Sequence, residues 1–138
     1  ITEIEEGIIQ IKAVAREAGS RAKIAIFSEN SEIDKIGACI GQKGLRIKAV
    51  TDTLNGEKID IVEWKDNKAE FVSAALSPAK VKSVEIIEDG ATARVLVPAN
   101  QLSLAIGKNG QNARLAAKLT SMRIDIKTIE EEQVNEQE

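Results

Sequence analysis

One pentapeptide pattern occurs twice in this chain of 138 residues and constrains its fold more than any other feature. Ile-Gly-x-x-Gly is found at Ile40–Gly44 and again at Ile106–Gly110. Each copy follows a short apolar segment and precedes a longer one whose apolar residues have helical spacing. A single Gly-x-x-Gly is a weak signal, because a chain with nine glycines matches it by chance about as often as not. Two copies in the same surroundings indicate a repeated structural unit.

The segments around the two pentapeptides recur in the same order. Two alternating apolar runs, joined by a turn at Gly19 in the first copy and at Gly90 in the second, predict an antiparallel hairpin before each pentapeptide. A short helix leads into each pentapeptide, and a longer helix and a strand follow it. The closing strands share letters, since Lys58–Ile61 reads KIDI and Arg123–Ile126 reads RIDI. The sequence therefore predicts two units of mixed α/β (α+β) class, each a three-stranded sheet packed with helices.

Only the second unit has room for a full helix before its hairpin. Residues 66–76 have apolar side chains at helical spacing, whereas residues 1–7 are too short to form an equivalent helix. We therefore predict a first domain over residues 1–65 that lacks its first helix, and a second domain over residues 66–129. Residues 130–138 contain five acids and no base, and they are predicted to be a disordered tail.

Alternation in the first hairpin also predicts which side chains are buried. Ile9, Ile11, Ala13 and Ala15 fall on one side of the first strand, which is expected to face the core. Lys23 lies on the outward side of the second strand, because the apolar residues on either side of it point inward. It is therefore expected to be an ordinary solvated charge.

The composition excludes several classes of site. The chain has no histidine and one cysteine, which excludes histidine-based catalytic triads, zinc sites of the cysteine–histidine type and an internal disulfide. No apolar run approaches the length of a membrane span, and no signal-peptide pattern is present. We expect a cytoplasmic protein that is not an enzyme and has no cofactor, metal or membrane contact. The net charge is only −3, but residues 94–127 contain six basic residues and one acid, which concentrates positive charge in the second unit.

Both pentapeptides are suited to binding phosphate. The first turn of a helix has N–H groups without internal partners and carries the positive end of the helix dipole. Because glycine has no side chain, a phosphate can approach this backbone closely. Lys43 and Lys108 add a cation within the loops, and few acids surround the second one. Glycines that only cap a helix and allow a tight turn would explain one copy, whereas two copies with a lysine inside favour a phosphate site.

Longer stretches around these loops resemble a known family. The order of elements and the Gly-x-x-Gly loops resemble tandem K-homology (KH) domains of type II, the prokaryotic arrangement, in which this loop clamps about four nucleotides of single-stranded nucleic acid. The similarity to the NusA family of bacterial transcription factors covers roughly residues 4–127. Ala18 departs from the family, where proline is usual, and so does Ser121–Met122, where Gly-Trp is frequent. The most similar stretches are Arg16–Lys23, Gly37–Gly41, Gly56–Ile61 and, above all, Gln101–Ala116.

The resemblance implies a non-enzymatic protein that binds single-stranded RNA and regulates transcription elongation, pausing, termination and antitermination. It implies a monomer whose further partners are RNA polymerase and antitermination factors, mainly through a polymerase-binding domain and an S1 domain that this sequence lacks. A protein-interaction scaffold within a transcription complex is the alternative. The candidate RNA-binding residues are Ile40, Gly41, Gln42, Lys43, Gly44, Arg46, Lys48, Ile106, Gly107, Lys108, Asn109, Gly110, Gln111, Asn112, Arg114 and Lys118.

Overall fold

The structure, a computed structural model, describes residues 1–131. The chain divides into two compact units, Ile1–Lys65 (unit 1) and the part that begins at Asp66 (unit 2). Each unit has a three-stranded sheet and helices of its own, which confirms the predicted fold class. Of the predicted acidic tail, residues 132–138 lie outside the described residues, while Glu130 and Glu131 belong to a helical turn. Within residues 1–131, every helix is too short or too polar to span a bilayer.

Unit 1 is built on a mixed sheet. Strand β2 is central, antiparallel to β1 and parallel to β3. A parallel neighbour requires a crossover connection, and the two helices between β2 and β3 supply it. The elements of unit 1 are α1 (Thr2–Glu5), β1 (Gln10–Glu17), β2 (Arg21–Phe27), α2 (Lys35–Ile40), α3 (Leu45–Thr53) and β3 (Lys58–Glu63).

Unit 2 repeats this topology. Its sheet has the order β4-β5-β6, with an antiparallel pair β4–β5 and a parallel pair β5–β6. The helix before the hairpin is twice as long as its counterpart in unit 1, with eight residues against four. The elements of unit 2 are α4 (Lys68–Ala75), β4 (Ser83–Ile86), β5 (Thr92–Val97), α5 (Leu102–Ile106), α6 (Gln111–Thr120) and β6 (Arg123–Thr128).

Side-chain caps explain where two of these helices begin. The Asp34 carboxylate accepts a hydrogen bond of 3.0 Å from the Gly37 N–H, which caps the start of α2. The Asn67 side chain likewise accepts a hydrogen bond of 3.0 Å from the Glu70 N–H. Helix α4 therefore begins at Lys68, two residues later than apolar spacing predicts. Both caps satisfy N–H groups that have no partner inside the helix.

A β-bulge in β1 corrects the predicted orientation of the first strand. The register with β2 shifts between Ile11 and Ala13. Ile11 pairs with Ile26, and Val14 pairs with Ile24. Because directly opposite residues share a face of the sheet, Ile11 and Val14 lie on one face and Ala13 on the other. Strict alternation predicted the same face for Ile11 and Ala13, and it fails because the inserted residue has no signature in the sequence.

The predicted solvent exposure of Lys23 is also wrong. Its side chain has no accessible surface, and Nζ lies 3.1 Å from Asp60 Oδ2. Asp60 also accepts hydrogen bonds of 3.0 and 2.9 Å from the Arg21 guanidinium. Burial lowers the pKa of Lys23, and Asp60 offsets part of this effect. Burial acts to raise the pKa of Asp60, but Arg21 and Lys23 outweigh it, so the net pKa shift is downward.

The helical layers of the two units cover their sheets to different extents. In unit 2, α4 packs against α6 and β4 and buries Phe71, Val72 and Ala75. In unit 1, the corresponding helix α1 is a single turn of four residues. The short α1 leaves a groove of about 240 Å³ beside the sheet, with Ile11 and Val50 among its apolar lining residues.

Candidate nucleic-acid interface

The two Gly-x-x-Gly loops have nearly the same backbone conformation. Loop 1 (Gly41–Gly44) joins α2 to α3, and loop 2 (Gly107–Gly110) joins α5 to α6. The first glycines have φ/ψ of 79°/174° and 78°/169°. The last glycines have φ/ψ of 73°/16° and 76°/10°. The repeat in the sequence is therefore a repeat of local structure.

The first glycine of each loop is required by both its conformation and its surroundings. Its φ is positive, and a Cβ at Gly41 would lie 2.8 Å from Arg46 Cγ. A Cβ at Gly107 would lie 2.6 Å from the backbone nitrogen of Asn112. Each of these glycines also ends the preceding helix, donating its N–H to the carbonyl four residues earlier at 2.8 Å. The helix-capping role considered from the sequence is therefore present in both loops.

The last glycine of each loop opens the start of the following helix to solvent. A Cβ at Gly44 would meet no atom within 4 Å, and one at Gly110 would meet only Arg114 Nη1 at 3.7 Å. These glycines are the N-caps of α3 and α6, and no side chain in residues 1–131 caps either helix. The positive ends of two helices, each longer than eight residues, are therefore accessible to an anion.

The cations of the two loops occupy different positions. Lys108 is the second residue of loop 2, whereas Lys43 is the third residue of loop 1, and both are exposed. Lys43 has φ/ψ of 54°/25°, and Asn109, which occupies the same position in loop 2, has 57°/27°. Asparagine tolerates this left-handed conformation better than lysine does. Loop 1 therefore carries its cation at the cost of backbone strain, and loop 2 does not.

The basic residues behind the loops also differ. In unit 1, Lys48 Nζ lies 2.8 Å from Asp52 one helical turn later. In unit 2, Arg114 Nη1 donates a hydrogen bond of 3.0 Å to the Asn109 carbonyl and thereby braces loop 2 itself. Lys118 is exposed further along the same helix. The basic residue behind loop 1 is thus paired within its own helix, whereas Arg114 bonds to the backbone of loop 2.

Exposed aliphatic side chains flank both loops. Ile40 and Leu45 stand at the two ends of loop 1, and Leu45 is 64% exposed although it is a leucine in a helix. Leu104 and Ile106 precede loop 2 and are 48% and 38% exposed. Four of the seven large apolar side chains that are exposed within residues 1–131 thus border the loops. Each loop places an apolar surface next to an anion site, an arrangement that suits the faces of nucleobases beside a phosphate.

The comparison with known proteins agrees with this geometry. The family model of the NusA-like first KH domain matches residues 1–64, and that of the NusA-like second KH domain matches residues 68–134. The chain belongs to the family of NusA-like tandem KH domains. The crystal structure of APE1850 has the same fold, with a TM-score of 0.62 and 24% sequence identity over 85% of this chain and 88% of that one.

Close relatives of these KH domains are parts of longer proteins. The chain is 54% identical to the transcription termination/antitermination protein NusA of Halalkalibacterium halodurans over 96% of this chain and 35% of that protein. Identity to the protein of the same name from Bacillus subtilis is 52%, over 93% of this chain and 34% of that protein. Identity to the protein of the same name from Mycobacterium tuberculosis is 57%, over 92% of this chain and 37% of that protein. The chain therefore spans about a third of the length of these relatives.

In the second KH domain, Asn112 is buried, which removes it from the accessible residues of the predicted interface. Its side-chain Nδ2 donates hydrogen bonds of 3.0 Å to the carbonyls of Leu76 and Ala105. The amide therefore ties the end of α4 and the end of α5 to the beginning of α6. Asn112 lies in a polar stretch of the sequence, and nothing in that stretch predicts that its side chain is buried.

In the first KH domain, Arg46 occupies the equivalent position, two residues after the last glycine of the loop. Its Nη1 donates to the Glu3 carboxylate at 2.7 and 3.0 Å and to the Ala38 carbonyl at 2.8 Å. The guanidinium thus joins α1 and α2 to the beginning of α3, as Asn112 joins the corresponding helices of the second domain. Arg46 remains partly exposed, so it can serve both the fold and a ligand.

Sequence reasoning missed Leu45, Leu104 and Glu3 near these loops. The two leucines belong to helices, and nothing in the sequence marks their side chains as exposed. Glu3 lies 43 positions before Arg46, and nothing local to the sequence pairs them. Within residues 1–131 no cluster of three or more acidic or cysteine side chains could hold a metal ion.

Proposed function

We propose that this chain binds single-stranded RNA through loop 1 and loop 2 and acts, without catalysing a reaction, in the regulation of transcription elongation, termination and antitermination. The observation that carries the proposal is the matched pair of loops. Each combines a glycine-lined helix start, an exposed lysine and an aliphatic border. Phosphodiester groups fit the helix starts, and bases fit the aliphatic surfaces.

The proposed interface follows the predicted residues with two changes. Leu45 and Leu104 join it because they are exposed beside the loops, and Asn112 leaves it because it is buried. The remaining contacts are assigned to Ile40, Gly41, Gln42, Lys43, Gly44, Arg46, Lys48, Ile106, Gly107, Lys108, Asn109, Gly110, Gln111, Arg114 and Lys118.

The transcriptional role is inferred from the relatives, which are named transcription termination/antitermination protein NusA. In this proposal the chain works in the bacterial cytoplasm as a monomer. RNA polymerase and antitermination factors are contacted mainly by parts of the longer relatives that lie outside the matched third.

The test replaces the two variable residues of each loop with aspartate, at Gln42, Lys43, Lys108 and Asn109. Aspartate tolerates the left-handed backbone at the third loop position, so the fold is expected to persist. Binding of a fluorescein-labelled, single-stranded RNA pool of random sequence should be lost at physiological salt. Unchanged circular dichroism together with full RNA affinity would falsify the proposed interface.

A control variant separates the loops from overall charge. Replacing Lys58, Lys80 and Lys82 with glutamate produces the same total change in charge as the four aspartates, at exposed positions outside the loop sequences. This variant should retain most of its RNA affinity. If both variants lose binding equally, affinity depends on net charge and not on the loops. For the unmodified chain, affinity should fall as salt is added. The logarithm of the association constant should fall with the logarithm of the salt concentration, with a slope of about −0.7 for each phosphate contacted.

A further inference from the structure

Loop 1 has an acidic neighbour, Glu3, which bonds to the residue two positions after its last glycine. Glu3, in the single turn of α1, holds Arg46 through both carboxylate oxygens, at 2.7 and 3.0 Å. The Arg46 guanidinium lowers the pKa of the Glu3 carboxyl, so Glu3 is an anion at neutral pH. In unit 2 the equivalent of Arg46 is the uncharged, buried Asn112, which bonds to two carbonyls and to no carboxylate.

Arg46 lies directly against the loop backbone. Its Cγ and Cβ are the atoms that a side chain at Gly41 would strike, at 2.8 and 3.0 Å. The stem of the arginine therefore runs beneath the first glycine of loop 1, close to the proposed phosphate site. The side chain is 43% exposed, and among the described residues all its hydrogen bonds go through Nη1. A phosphate arriving from solvent can reach the rest of the guanidinium.

We infer that Glu3 is a built-in competitor for RNA phosphate at loop 1, because it occupies the cation that phosphate would bind. The inference rests on the proposed function. Arginine binds phosphate with the same forked geometry that it uses for a carboxylate, so the two anions compete for one partner. An exposed ion pair of this kind contributes little free energy, so RNA can displace it, but the carboxylate still repels a phosphate close by.

Arg46 keeps its position when Glu3 is neutralised. The hydrogen bond from Nη1 to the Ala38 carbonyl, at 2.8 Å, ties the guanidinium to α2 independently of α1. Replacing Glu3 with glutamine therefore leaves a positioned cation without its resident anion. RNA affinity should rise about three- to ten-fold, the size expected for removing one like charge at this distance in largely aqueous surroundings. The salt dependence should steepen by about 0.7 in log units if Arg46 gains a phosphate contact.

The decisive measurement compares three single variants and one double variant in binding to the same random single-stranded RNA pool. Glu3→Gln tests the competitor, and Glu6→Gln is the matched control, since it removes the same charge from an exposed residue of the same segment. Arg46→Gln keeps the Cβ and Cγ that lie beneath Gly41 but removes the cation. In the double variant, Glu3→Gln should bring no gain, because its effect requires Arg46.

The sign of the Glu3→Gln effect decides the inference. A gain that is larger than for Glu6→Gln and absent in the Arg46→Gln background supports it. An equal gain in both glutamate variants shows a general charge effect and overturns it. A loss of affinity with unchanged circular dichroism also overturns it, because Glu3 would then orient Arg46 for RNA. If the unmodified chain does not bind the pool at all, the proposed function fails and the inference fails with it.

Discussion

Loop 1 and loop 2 share a backbone conformation, but the contacts that support each loop differ. Loop 2 begins α6, which has four buried residues, and it is secured by the buried amide of Asn112. Loop 1 begins α3, which has no fully buried residue, and it is secured by a partly exposed ion pair between Arg46 and Glu3. The glycines fix the shape of each loop locally, whereas the packing behind it determines how firmly that shape is held. One motif can therefore give a rigid site and a soft site in the same chain.

The distribution of buried apolar residues also indicates that unit 2 is more firmly packed than unit 1. Of the twenty buried apolar side chains within residues 1–131, thirteen lie in unit 2 and seven in unit 1. Each large buried side chain among them (Val, Leu, Ile, Phe or Met) contributes about 1.5–3 kcal/mol. Unit 1 instead relies on ion pairs, such as Arg16 with Glu57 and Arg21 with Asp60. Unit 2 should therefore unfold later than unit 1 and should depend less on pH and salt.

The largest expected difference lies at the two equivalent positions behind the loops. Asn112→Ala removes two buried hydrogen bonds, to the carbonyls of Leu76 and Ala105, and should destabilise unit 2 by about 2–3 kcal/mol. Arg46→Ala removes a partly exposed ion pair and should destabilise unit 1 by about 1 kcal/mol or less. Native-state hydrogen exchange, read at the amides of α6 and α3, measures both losses. Equal losses at the two positions would contradict the proposed difference between a rigid and a soft loop.

Acid should separate the two units next. In unit 1, hydrogen bonds from Arg16 and from the Gly19 N–H lower the pKa of Glu57. The pKa of Asp60 is also lowered, because Arg21 and Lys23 outweigh the effect of burial. Lys35 and Lys65 lower the pKa of Glu63. In unit 2, hydrogen bonds from the Ala91 N–H and from Thr92 lower the pKa of Asp89. A carboxyl whose pKa is lower in the folded state stabilises the fold above its unfolded pKa, about 4, and loses this effect as pH falls through the folded pKa.

Unit 1 should therefore lose stability first as pH falls below about 4. Trp64 is the single tryptophan of the chain and packs against Phe27 in unit 1, with ring centroids 5.6 Å apart, so its fluorescence follows this unit. Far-UV circular dichroism follows both units. A single acid transition at the same pH by both probes would mean that the units unfold together. In the variant Glu57→Gln, the fluorescence transition should become shallower.

The topology of both units could be predicted because each element leaves a periodic signal. The spacing of Phe71 and Val72 with later apolar residues predicted a buried helix face, and the shared letters of the closing strands predicted the repeat. The β1 bulge and the burial of Lys23 could not be predicted, because both depend on which residues oppose them across the sheet. Local pattern reports the type of an element, whereas register and pairing are set by partners distant in the sequence.

In the candidate site, too, local features could be predicted and long-range contacts could not. The loops were found from their glycines, since a positive φ restricts the residue type and so leaves a mark on the sequence. Glu3 and Leu76, which bond to Arg46 and Asn112, were missed because they precede each hairpin and are distant in the sequence. A charged or polar residue next to a loop is read as a ligand by default. Only its long-range contacts show whether it is already engaged.

The smallest expected effect concerns the third residue of each loop. Lys43 adopts a left-handed conformation that asparagine tolerates better, so Lys43→Asn should stabilise unit 1 by about 0.5–1 kcal/mol. The reverse exchange, Asn109→Lys, should destabilise unit 2 by a similar amount. Urea unfolding followed by Trp64 fluorescence measures the first change, and hydrogen exchange in α6 measures the second. Lys43→Gln is the control, because it removes the charge without relieving the backbone.

RNA affinity should move in the opposite direction to stability in these variants. Lys43→Asn removes a cation from loop 1 and should weaken RNA binding although the loop becomes more stable, and Lys43→Gln should weaken binding to the same extent. Asn109→Lys adds a cation to loop 2 and should strengthen binding although unit 2 becomes less stable. If Lys43→Asn instead binds RNA more tightly than Lys43→Gln, the backbone strain at Lys43 lowers the RNA affinity of the unmodified chain.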